Sequence, residues 1–235
     1  MKLTIISSFY NEELGVDPYF VGLRDCLAAH PDTKAILVNN GSVDMTLNNL
    51  YSQDKRNLLI TILDNPRPGG YGLGVDFGIS KADTPYVLIL PSDLQFRFDD
   101  VGRLISTAQS LSANFELKHV NIFTKRNRLD GAFASARGKI WGCIISAILK
   151  IPRSLDPASQ LKLMCRCCIP PLVSSDFMWD LELCQKTLQG GKKFQMFEVN
   201  FQSRMTGKSS ISSFPIRTEL EALKKLINLA KKLRN

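Results

Sequence analysis

Four short apolar runs, each broken off by a cluster of Gly, Pro, Asn or Ser, constrain the fold of this chain more than any other feature. Leu3-Thr4-Ile5-Ile6, Ile36-Leu37-Val38, Leu59-Ile60-Thr61-Ile62-Leu63 and Tyr86-Val87-Leu88-Ile89-Leu90 have the length and the side chains of strands. Between them lie segments of helical spacing, among them Val21, Leu23 and Leu27 and the stretch from Leu73 to Ala82. This alternation predicts an α/β fold with a mostly parallel central sheet flanked by helices, because parallel neighbours need a crossover and the crossover helices cover the sheet. Ligands of such sheets gather beyond the carboxyl ends of the strands.

The segments that follow the four strands are 7-SSFYNEE-13, 39-NNGSVDMT-46, 65-NPRPGGYGLG-74 and 92-SDLQ-95. Each has a purely structural reading. Asn11-Glu12-Glu13 can begin a helix, Asn40-Gly41 makes a tight turn, Ser42 or Asp44 caps a helix, and the glycines at 70, 72, 74 and 78 allow close helix packing. Four such loops opening on one rim point instead to a ligand site. The last is the most pointed: a hydrophobic run ends abruptly in the oxygen-bearing side chains of Ser92, Asp93 and Gln95.

At 235 residues and 44% hydrophobic, the chain can build one substantial core. Nothing reaches the roughly 18 apolar residues of a membrane span; 140-IWGCIISAIL-149 is too short and reads as a buried or interfacial helix. The cluster 165-CRCC-168 lacks a second pair at zinc spacing and the two histidines are distant in sequence, so the cysteines read as reduced thiols of a cytoplasmic protein. The net charge of +8 favours anionic partners such as phosphorylated ligands or acidic lipid head groups. Nucleic acid is set aside, since neither a helix-turn-helix nor aromatics interleaved with basic residues on a strand is present.

In their order the motifs resemble the family 2 glycosyltransferases of the GT-A fold, most closely the dolichol- or polyprenyl-phosphate mannosyltransferase-like branch. The pattern P-x-Y-N-E-E is met by Ser8-Phe9-Tyr10-Asn11-Glu12-Glu13, V-D-D-G-S-x-D-x-T by Val38 to Thr46, the glycine-rich motif by Asn65 with Gly70, Gly72, Gly74, Gly78 and Ala82, and D-A-D-L-Q by Pro91 to Gln95. Residues 177-FMWDLELCQKTLQGG-191 and 198-EVNFQSRMTGKSS-210 extend the resemblance to about residue 212. It implies an inverting transfer of a hexose from a GDP- or UDP-sugar, with Mg2+ or Mn2+ held by Asp93 and Gln95. Ser8, Tyr10, Glu12, Val38, Asn39, Gly41, Gly72, Ser92 and Lys208 would line the nucleotide and diphosphate. Pro91 stands where the family has an aspartate, removing one carboxylate, and Asn39 replaces an aspartate at the nucleobase, where an amide both donates and accepts.

For the acceptor, the resemblance implies polyprenyl phosphate, with Arg126 on its phosphate or on the donor diphosphate and Arg204 closing over the site; Arg137 and Ser135 align less directly. An anionic phosphate needs positioning more than a general base. Transfer to a hydroxyl of a surface polysaccharide or lipopolysaccharide glycan would need a carboxylate base, for which Asp176 and Asp180 are the candidates. A third reading, given Pro91 and Asn39, is a non-catalytic nucleotide-sugar-binding subunit. The transferase domain is expected over residues 1–212, followed over 213–235 by a basic amphipathic helix. Leu220, Leu223, Ile227, Ala230 and Leu233 share one face of it, and it either lies peripherally on an acidic membrane or docks on the domain.

Overall fold

The computed structural model describes residues 1–53, 58–113, 121–204 and 216–233. Its elements follow the chain as β1 (Leu3–Phe9), α1 (Val16–Ala29), β2 (Thr33–Asn39), α2 (Thr46–Gln53), β3 (Ile60–Asp64), α3 (Tyr71–Lys81), β4 (Tyr86–Ile89), α4 (Phe98–Ala113), β5 (Asn121–Arg128), α5 (Ala132–Leu149), β6 (Lys162–Cys165), α6 (Met178–Gln189), β7 (Phe194–Phe201) and α7 (Ile216–Lys232). The sheet order is β3-β2-β1-β4-β6-β5-β7. Among the described strands only β6 runs against its neighbours, pairing antiparallel with β4 and β5, so the expected mostly parallel α/β sheet is present.

Alternate residues of the central strands feed opposite faces, as the period of two requires. Leu3, Ile5, Ala35, Leu37, Leu88 and Leu90 pack with α1 and α4, whereas Ile6, Ile36, Val38 and Val87 pack on the other side against residues of α3. Ile89, Phe123 and Met164 meet α5, α6 and α7 there. Tyr19, Phe20, Leu23 and Leu27 of α1 are buried, but Val21 is 61% exposed, because a residue two positions before Leu23 lies about 200° away around a helix. The 140–149 segment forms most of α5 and is half-buried, with Ile145 and Leu149 in the core.

The C-terminal helix is packed against the domain. Leu226, Leu229 and Ala230 are buried among α5 and α6, while Leu220 and Ile227 remain exposed. The face that docks is therefore rotated from the one expected from sequence, sharing only Ala230 and, at its edge, Leu233.

The chain proceeds outward from β1 through β2 to β3, then returns to the other side of β1 with β4. The reversal opens a crevice where β1 and β4 end, the topological switch point at which doubly wound sheets bind ligands.

Candidate active site

The loops after β1 and β4 meet at this switch point. Ser92 Oγ donates to the Ser8 carbonyl oxygen at 2.9 Å, tying the two strand ends together. Leu94 adopts φ +58°, a left-handed backbone that a leucine seldom takes, so the chain turns sharply at Asp93. Three bonds hold that turn: the Gln95 N–H donates to Asp93 Oδ1 at 3.3 Å, Gln95 Nε2 to the Gln202 carbonyl at 3.1 Å, and Gln202 Nε2 to the Leu94 carbonyl at 3.1 Å. The end of β7 is thereby stapled to the Asp93 loop, and Arg204 is delivered to the crevice.

The Arg204 guanidinium lies between two carboxylates, 3.1 Å from Glu12 Oε1 and 3.3 Å from Asp93 Oδ2. Glu12 and Asp93 are both about 7% exposed. Burial pushes both carboxyl groups above their ordinary values, and the Arg204 charge works against that rise in each. Glu12 Oε2 is buried without a hydrogen-bond partner, a costly arrangement unless something binds there. Two hard carboxylates, one with an orphaned oxygen, and the Gln95 amide oxygen form a donor set suited to Mg2+ or Mn2+.

The loops after β1 and β2 are joined by reciprocal bonds. The Asn11 N–H donates to Ser42 Oγ at 3.0 Å and the Val43 N–H to Asn11 Oδ1 at 2.9 Å, while the Glu12 N–H donates to Thr46 Oγ1 at 2.8 Å. Asp44 accepts from the Thr46 N–H at 3.0 Å and so caps α2, and the 11–13 segment precedes α1 without being part of it. Gly41 has φ +81°, and a side chain there would meet Pro68. Tyr10 stands 55% exposed at the crevice mouth, whereas Val38 is wholly buried in the sheet and contributes packing.

Asn39 is buried and partnered. Its Nδ2 donates to Asp64 Oδ1 at 2.7 Å and its Oδ1 accepts from the Ser42 N–H at 3.3 Å. Asp64, exposed at the end of β3, thus brings a carboxylate beside the position where the family pattern has one. Neither the loop motifs nor their spacing single out Asp64; the register Asn39↔Asp64 is what pairs them. Asn65 Nδ2 donates to Asn40 Oδ1 at 2.9 Å one step further out. The glycines of α3 serve packing: a Cβ on Gly74 would overlap Ser8 Oγ, and one on Gly72 would lie 2.6 Å from Trp179 Cδ1 and 2.8 Å from the Ser174 carbonyl.

The acceptor-side candidates have charged partners of their own. Arg126 donates to Asp156 from Nε at 2.7 Å and from Nη2 at 2.8 Å and stacks over Phe201, leaving Nη1 for a further acceptor among the described residues. Asp180 is 2% exposed and paired with the wholly buried Lys162 at 2.6 Å. Burial pushes its carboxyl up, with Lys162 opposing. Asp176 caps the Met178 N–H with one oxygen and meets Lys225 of α7 at 2.5 Å with the other. Arg137 reaches Glu219 of α7 at 2.9 Å. Lys208 and Ser210 lie outside the described residues, and Ser135 lies on the second turn of α5.

A doubly wound sheet with acidic and cationic groups converging at its switch point is the architecture of GT-A glycosyltransferases. The chain belongs to glycosyl transferase family 2, whose profile matches residues 4–132, more than half of its length. It is accordingly a glycosyltransferase. No curated protein sequence matches it significantly. Among solved structures it is similar to glucosyl-3-phosphoglycerate synthase from Mycobacterium tuberculosis in complex with Mn2+, UDP and phosphoglyceric acid, with a TM-score of 0.70 at 13% identity over 99% of this chain and 78% of that one. The same synthase with Mn2+ and UDP-glucose gives a TM-score of 0.66 at 15% identity over 95% and 75%. Likeness at this level of identity is likeness of fold.

Proposed function

We propose that the protein moves a hexose from a GDP- or UDP-sugar to polyprenyl phosphate with inversion at the anomeric carbon, using a divalent cation held by Asp93, Gln95 and Glu12. The donor half of this reading is supported by the Glu12–Arg204–Asp93 cluster with its orphaned oxygen, and by the Mn2+ and UDP complexes of proteins with this fold. The cation, when bound, neutralises charge that grows on the departing diphosphate. Arg204, positioned by the Gln95–Gln202 staple, adds a second positive charge to the same crevice, and Ser92 and Ser8 shape its floor. Asp64 and Asn39 supply an acceptor and a donor to the edge of a nucleobase.

The observation that carries the acceptor is an apolar groove of about 420 Å³ between α5 and α7, lined by Ile140, Trp141, Ile144, Leu220 and Leu223 with Arg137 among them. α5 starts directly after β5, whose carboxyl end lies on the same rim as Asp93. A prenyl chain laid in such a groove would keep its phosphate at the rim, near Arg126. The phosphate is an anionic nucleophile and asks no proton of a base, which agrees with Asp180 and Asp176 both being engaged by lysines. The exposed lysines of α7, together with Leu220 and Ile227, support a peripheral position on an acidic membrane face.

A hydroxyl acceptor is the second reading, favoured by the phosphoglyceric acid seen with the similar synthase. The test pairs a thermal-shift panel of GDP-, UDP- and dTDP-sugars, with and without Mn2+, with transfer assays on polyprenyl phosphate and on phosphoglycerate. Donor binding stabilises the fold by mass action. Mn2+-dependent stabilisation by one donor and transfer to the lipid phosphate are expected. Transfer to phosphoglycerate alone would overturn the lipid assignment, and binding without turnover would favour a non-catalytic subunit.

A further inference from the structure

Three cysteines that sequence spacing leaves as unconnected thiols are brought together at the opposite edge of the sheet from the crevice. Cys165 closes β6 opposite Tyr86, the first residue of β4, and the turn over Arg166–Cys168 follows at once. The sulfurs of Cys165, Cys167 and Cys168 all lie within 4.8 Å of one another. Cys165 Sγ and Cys167 Sγ are 2.8 Å apart. We propose that Cys165, Cys167 and Cys168 form a three-sulfur site for a soft, thiophilic metal ion, Cu(I).

Three sulfurs arranged around an ion at about 2.3 Å lie about 4 Å from one another, inside the limit that these three already satisfy. Closing the site needs Cys167 to move outward from Cys165 by about 1 Å on this arithmetic. It can do so, because Cys167 is exposed on a short turn while Cys165 and Cys168 are each 6% exposed and anchored. Among the described residues no fourth histidine, cysteine or carboxylate joins the group. Structural zinc sites close with four protein ligands, whereas a set of three sulfurs with no fourth protein ligand suits a thiophilic ion such as Cu(I).

Coordination by all three sulfurs releases to solvent whatever protons they carry and leaves a complex of net charge −2, which the nearby Lys192 ammonium offsets in part. Arg166, in the same turn, is directed elsewhere and donates to the Ala82 carbonyl at 2.8 Å.

The test uses the reduced full-length protein under anaerobic conditions, titrated with Cu(I) in competition with bathocuproine disulfonate. Ultraviolet thiolate-to-Cu(I) charge transfer and X-ray absorption report the ligands. One Cu(I) per chain with an all-sulfur first shell is expected. Cys167→Ser, at an exposed position that should leave the melting curve unchanged, should weaken binding by more than the roughly 10–100-fold that loss of an outer-shell partner costs. Cys143→Ser, also exposed but outside the cluster, should bind as wild type. Equal Cu(I) affinity in Cys167→Ser and wild type overturns the proposal. So does Cys167-dependent binding of Zn2+ with none of Cu(I).

Discussion

Replacing Asp180 by asparagine separates a structural carboxylate from a catalytic one. Asp180 lies on the first turn of α6, and its partner Lys162 has no exposed surface. Besides Asp180, among the described residues the Lys162 ammonium donates only to the Ser159 carbonyl, and it sits 5.9 Å from the centre of the Phe123 ring. Asp180→Asn leaves that ammonium buried without its nearest counter-charge. Breaking a buried pair from one side costs roughly 3–5 kcal/mol, and for a chain of this size each kcal/mol lowers Tm by about 2–4 °C. Asp156, whose carboxyl is lowered in part by Lys162, supplies some compensation and places the expected loss near the lower end of roughly 6–20 °C. Urea and thermal melts measure the loss, and transfer assays on the folded fraction should show kcat within a few-fold of wild type. The double variant Lys162→Met/Asp180→Leu should recover most of the stability, because an apolar pair of similar volume often replaces a buried ion pair without cost. An Asp180→Asn protein with unchanged Tm and kcat lower by several orders of magnitude would refute this reasoning and make Asp180 a base.

Asp93→Asn should abolish Mn2+-dependent thermal stabilisation by donor while the unliganded protein keeps its fold; undiminished stabilisation in a melting assay would count against Asp93 as a ligand. Because burial raises the Glu12 and Asp93 carboxyls, protons compete with the cation, so the Mn2+ shift should shrink as pH falls from neutral toward the carboxylate range. Burial works against ionised Glu182, but the Lys186 ammonium and the Ser174 and Val173 N–H groups hold it below its ordinary value. Its stabilisation is therefore present above the unfolded value of about 4.3 and is lost as pH falls through the lower folded one, so Glu182→Gln should flatten the acid side of the urea-midpoint profile. Deleting residues 217–235 should lower Tm sharply, since the buried Leu226 and Leu229 alone contribute about 1.5–3 kcal/mol each, and should release the protein from anionic liposomes; an unaltered melt would count against the docked helix.

Much of the candidate site is legible in the sequence, and the reason is local. Strand ends, turns and caps depend on neighbours a few residues away, so the alternation of runs and loops places Glu12, Asn39, Ser92, Asp93 and Gln95 on one rim. The same locality explains the misreadings. Val38 sits inside a motif but its side chain faces the core, because the strand's period of two continues to its end. Asp180 reads as a candidate base in the sequence because nothing local reveals its partner Lys162, which lies on β6, eighteen positions away along the chain.

The sequence by itself determined the order of elements, the parallel character of the sheet and the identity of the loops that share an edge, since periodicity and turn chemistry act over short range. Tertiary structure alone decided which distant groups meet. Arg204 reaches Glu12 across 192 residues only because the end of β7 is stapled to the Asp93 loop. Asp64 joins Asn39 only through the β2–β3 register. Whether α7 is free or docked was open in the sequence for a related reason: a lysine-rich helix with one apolar face suits a membrane or a core equally, and only the complementary surface of α5 and α6 tells which part of that face is buried.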